Sequence, residues 1–80
     1  MKLIEIDIVV LDEEKQTKAI MPFLLNPLSI IGILKTGIPG DLAGPDGAPM
    51  VVEKAAIDVG FKMILTNYTV EELCKMLEEV

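Results

Sequence analysis

Arginine, histidine and tryptophan are absent from this chain of 80 residues, and cysteine occurs once. Without histidine, the commonest general base and the commonest metal ligand are missing, so imidazole-based catalysis is excluded. Without arginine there is no planar fork for reading phosphates or guanine edges in bidentate fashion. Seven lysines against thirteen acids leave a formal net charge of −6, which on average repels nucleic acid and anionic lipid. Neither is an expected partner. The single Cys74 cannot close an internal disulfide and belongs to no CxxC pattern, which suits a reducing cytoplasm.

Long apolar runs are also lacking. The opening "MKLIEIDIVV" carries Glu5 and Asp7 within its hydrophobic stretch and does not read as a signal peptide. Residues 22–34 are greasy but too short to span a bilayer, and Pro22, Asn26, Pro27 and Gly32 interrupt them. The expectation is a soluble, cytoplasmic protein of one domain covering residues 1–80.

Apolar side chains are nonetheless abundant, at 51% of residues with a mean hydropathy of +0.51. A domain this small has little interior in which to hide them, and a large exposed apolar patch usually marks a partner. Self-association or a protein partner is the first functional expectation, with a dense monomer core as the alternative.

Ile4, Ile6, Ile8 and Val10 alternate with Glu5 and Asp7, so residues 2–10 predict a half-buried strand with both acids on its solvent face. Residues 11–16 read as a polar turn and 17–25 as the returning strand of a hairpin. Pro22 cannot donate a ladder hydrogen bond, so that strand sits at an edge, bulges there or ends at Met21. Residues 26–37 predict a short helix, with Asn26 as N-cap, Pro27 at the first position and Gly37 past its end. Its β-branched content leaves strand as an open alternative. Residues 49–60 repeat the pattern, with Val52, Ala55, Ala56 and Val59 on one helical face. Residues 61–66 read as a short buried strand. Residues 69–80 make the clearest helix, with a Thr69–Glu72 capping box and Val70, Leu73, Leu77 and Val80 on one stripe. The predicted fold is α+β, a small three-stranded sheet (the N-terminal hairpin plus one later strand) packed against two to three helices.

Chemistry-bearing residues are few. Cys74 lies beside Leu73, with Glu71 and Glu78 on its side of the helix, and reads as a small core residue; a nucleophile would need a cation or base nearby. Glu71, Glu72, Glu78 and Glu79 around Lys75 read as a solvated helix face. "GIPGDLAGPDGAP", residues 37–49, stands apart with four glycines and three prolines. Its glycine spacing fits no dinucleotide loop, and it lacks the lysine of a phosphate loop. Its two aspartates fall short of a calcium loop's dense acid set. "IPGD" matches a type II turn and "GPDG" a type I turn, so the stretch predicts an ordered loop between two helices.

The expectation is a non-catalytic cytoplasmic protein acting through protein–protein contacts, as a homodimer or other homo-oligomer or as a small subunit of an assembly. It requires no cofactor and contains no catalytic or metal-ligating residues. The contact residues are Pro39, Asp41, Leu42, Pro45 and Asp46 in the loop, with Phe23 and Leu24 as interface anchors. The alternative is a small-ligand- or divalent-ion-binding enzyme-accessory domain that uses Asp41 and Asp46 with the loop amides.

Overall fold

The alternating isoleucines of the N-terminus do form a strand, β1 (Ile4–Asp12), which pairs antiparallel with β2 (Thr17–Leu25) in one unbroken register. A computed structural model describes residues 2–12, 14 and 17–79. Half of the polar turn expected at 11–16 lies outside the described residues; Leu11 and Asp12 still belong to β1, and the Glu14 amide donates to Asp12 Oδ1 at 3.1 Å. Asp7 spends its backbone amide on the Tyr68 hydroxyl and its carbonyl on the Asn67 amide, both away from β2. Pro22, directly opposite Asp7, therefore turns its nitrogen to the outer side of β2, where no ladder bond is missed. The proline marks an edge strand.

The next two segments overturn the expected fold. The chain makes a single 3-10 turn at Pro27–Ser29, capped by the Asn26 side chain on the Leu28 amide. It then runs into β3 (Gly32–Ala43), which pairs antiparallel with β4 (Pro49–Asp58). The helices expected at 26–37 and 49–60 do not form: residues 32–37, for which strand was the open alternative, and residues 49–58 belong to the two strands of a long hairpin. β4 is a central strand, with β5 (Met63–Leu65) on its other side, and Ala55, Ala56 and Ile57 are all buried. A strand covered on both faces loses its period of two, and Val52, Ala55, Ala56 and Val59 then mimic a helical stripe. Val51, Val52 and Ile57 are β-branched and favour the strand. In place of a three-stranded sheet under two to three helices, the described residues form five strands, in sheets of two and three, with one helix, α1 (Val70–Glu78).

The segment after β5 joins the sheets. Thr66 bridges to Ile8 of β1, while its amide and hydroxyl both donate to the Ala55 carbonyl of β4, at 2.9 and 2.7 Å. The Tyr68 carbonyl accepts the Ala55 amide at 2.7 Å. Residues 66–68 therefore lie between β1 and β4, and the strands run β2, β1, β5, β4, β3 across the molecule.

α1 packs on residues of both sheets. Its capping box is complete: Thr69 Oγ1 accepts the Glu72 amide, and Glu72 Oε1 accepts the Thr69 amide at 2.9 Å. Leu73, fully buried, packs with Ile6, Leu25, Ala55, Ile57 and Ile64, and Val70, Met76 and Leu77 close over them. Val80, the last position of the expected stripe, lies outside the described residues. Among the described residues, no helix is long and apolar enough to cross a membrane. Cys74, the chain's lone thiol, is free and half-buried, with no disulfide.

Candidate functional site

Beyond the helix, the β3–β4 hairpin continues as an arm, residues 37–52, whose two strands are matched to each other more than to the body. Two glycines permit their close approach. A Cβ on Gly40 would lie 2.8 Å from the Met50 carbonyl oxygen, and one on Gly37 would lie 2.5 Å from Val51 Cγ1. The expected type II turn at 38–41 does not form, because among the described glycines only Gly47 and Gly60 have positive φ. Those residues are strand instead, with a register shift between Pro39 and Ala43. A hydrogen-bonded turn does form at 44–47, at the tip. The Gly47 amide donates to the Gly44 carbonyl at 3.0 Å, and Gly47 takes φ 84° as the left-handed residue that closes a three-residue hairpin.

Each sequence-predicted contact residue can be placed on this arm. Pro39 and Asp41 are both exposed in β3, and Leu42, near the tip, is 74% exposed. Pro45 and Asp46 occupy the turn, where Asp46 Oδ1 accepts the Ala48 amide at 3.1 Å. Asp41 forms an ion pair at 3.1 Å with Lys18 of β2, and the same ammonium donates to the Pro39 carbonyl at 3.0 Å. Both loop carboxylates therefore have a partner within the chain. Among the described residues, no group of three or more potential ligands could hold a metal ion.

The two proposed anchors part company. Phe23 points inward and packs on the core cluster, whereas Leu24, opposite Glu5, is 62% exposed on the other face of β2. Glu5 and Asp7 are exposed, as their alternation predicted.

Sequence reasoning missed Lys18, Met50 and Val51. Val51 sits directly opposite Pro39, on the face that Ala55 and Ile57 present to α1, but outside the helix's reach it is 74% exposed. Gly37 shares that face without a side chain, opposite the exposed Glu53, which pairs with Lys35 at 3.7 Å at the inner end of the arm. On the reverse face Ile38 is buried at 2% exposure, and Lys18 reaches over the same strand. The apolar β-branched pair Val51–Val52 signalled a strand, but nothing local to Lys18 signalled its partner, 23 residues away. No protein family, curated protein or solved structure matches this chain.

Proposed function

We propose that this chain is a non-catalytic cytoplasmic protein that works through protein–protein contacts, as a homo-oligomer or as a small subunit of a larger assembly. The observation that supports this reading is an excess of surface. The chain exposes 5653 Å², whereas a compact protein of its 8.7 kDa exposes about 4,700 Å². Its radius of gyration is 13.5 Å where about 12 Å is usual for 80 residues, and its long axis reaches 46 Å. The large apolar side chains left exposed include Leu42, Met50 and Val51 on the arm. Large apolar side chains left exposed in this number are characteristic of contact sites. The lone thiol, left half-buried, suits a reducing compartment.

The test is a photo-crosslinking amino acid in place of Leu42, expressed in cells of the source organism. Irradiation is expected to give a discrete protein adduct that grows with exposure. Failure to form any adduct there, or at Val51, would remove the support for a contact function.

A further inference from the structure

We infer that the partner seated on the arm is a second copy of this chain, joined arm to arm through the face bearing Val51, Pro39 and Gly37. This deepens the protein-contact reading and rests on it. Area supplies the first argument. The chain exposes roughly 900 Å² more than a compact protein of its mass, and a standard interface buries about 800 Å² per partner. One interface with a like copy would therefore bring each chain back to the surface expected of a compact protein.

Charge supplies the second. A quarter of the whole chain is charged, but residues 37–52 carry only Asp41 and Asp46 and no lysine. Asp41 is matched by Lys18, and Asp46 by a backbone amide. Two chains of net charge −6 repel each other over most of their surfaces, and the acids Glu71, Glu72, Glu78 and Glu79 of the helical end sharpen that repulsion. At the inner end of that face Glu53, opposite Gly37, is paired with Lys35 at 3.7 Å, so two copies can meet on the arm without opposing unpaired like charges. Depletion of charge is also the compositional mark of an interface core. A basic partner would instead be drawn to the acidic helix, and an anionic membrane would find no cation on the arm to hold it.

The shape agrees with a two-fold contact. Pro39 and Val51 face the same way from neighbouring strands, and Val51 Cγ1 lies over Gly37 and covers the backbone there. A two-fold interface needs one self-complementary patch, and a flat apolar patch complements itself.

Sedimentation equilibrium of the full chain, from low micromolar to several hundred micromolar, tests the inference. A dimer is expected. Val51→Glu and Pro39→Glu, both at exposed positions of that face, should each weaken it at least tenfold, with melting curves that match the wild type at concentrations where all are monomeric. Leu28→Glu, at an 89% exposed position off the arm, should leave it intact. A wild-type chain that stays at 8.7 kDa throughout overturns the inference, as does a dimer that Leu28→Glu weakens as much as the arm variants do. A monomeric chain that still crosslinks at Leu42 to a different protein would overturn the second copy alone. A monomer with no adduct would remove both readings.

Discussion

Lys18 and Asp41 join the two outermost strands of the molecule. The ammonium on β2 reaches the carboxylate on β3 at 3.1 Å and the Pro39 carbonyl at 3.0 Å. These strands belong to different sheets, so the contact ties the arm to the first hairpin. An exposed ion pair contributes little, and the Asp41 side chain is 90% exposed. The Lys18 side chain is only 26% exposed and serves two acceptors. Lys18→Met is expected to cost about 0.5–1 kcal/mol, and Asp41→Asn less than half as much, because the Pro39 carbonyl bond survives. Urea unfolding of both variants gives the order. Hydrogen exchange should also quicken in residues 37–43 of Lys18→Met, and an equal cost for the two variants would contradict this account.

Gly37 and Gly40 test how tightly the arm is built. The closer approach is at Gly37, where a Cβ would meet Val51 Cγ1 at 2.5 Å, but that methyl group belongs to a side chain 74% exposed and able to turn away. At Gly40 the obstacle is the Met50 carbonyl oxygen, at 2.8 Å, which cannot move without the strand. Gly40→Ala is therefore expected to be the worse substitution, by about 1–3 kcal/mol, despite its longer distance. Val51→Ala should rescue Gly37→Ala and have no effect on Gly40→Ala. Denaturant midpoints of the three single and two double variants decide it.

Elements whose determinants are local could be read directly from the sequence. The α1 N-terminus was legible because Thr69 and Glu72 answer each other three residues apart. β1 was legible because Glu5 and Asp7 mark a wet face between isoleucines. β3 and β4 were misread because their determinants are remote. Ala55, Ala56 and Ile57 are buried by neighbours on both faces, which erases the alternation that would have announced a strand. Gly37 and Gly40 read as turn residues, yet their role is to let β4 come close. The residues 37–49 stood out by composition, and five contact residues were placed there, but the cation that engages the stretch lies in β2. Asn26 and Pro27 correctly announced a helical turn; the β-branched residues that follow then ended it after one turn.

The capping box gives the fold a measurable pH dependence. The Thr69 amide and hydroxyl hold the Glu72 carboxyl below its ordinary value of 4.5. A carboxyl depressed in the folded state binds its proton more readily when unfolded. Its stabilising effect is therefore full above the unfolded value and is lost as pH falls through the folded one. Wild type should exceed Glu72→Gln in stability at neutral pH, with the gap closing below pH 4.5. Thr69→Ala, which removes the reciprocal bond, should cost about 1 kcal/mol. Melting curves of the three proteins from pH 7 to pH 3 would show the convergence. A gap that widened in acid would contradict the assignment.

The joint between the sheets should fail at Thr66 before it fails at Tyr68. Thr66 is fully buried, and its hydroxyl donates to the Ala55 carbonyl at 2.7 Å. Thr66→Val preserves shape and leaves that carbonyl its second donor, the residue 66 amide at 2.9 Å, so no acceptor is orphaned. The expected cost is about 1–2 kcal/mol, that of one buried hydrogen bond. Thr66→Ala adds a cavity and should cost about 1 kcal/mol more. Tyr68→Phe removes the acceptor of the Asp7 amide, but that bond is solvent-exposed and water replaces it, so the expected cost is below about 1 kcal/mol. Because residues 66–68 connect β1 to β4, loss at Thr66 should also uncouple the hairpins. Hydrogen exchange in Thr66→Ala should then quicken in β1 and β2 more than in β3. Uniform quickening across all strands would instead mean that the two hairpins unfold as one unit, with Thr66 no more than another core residue.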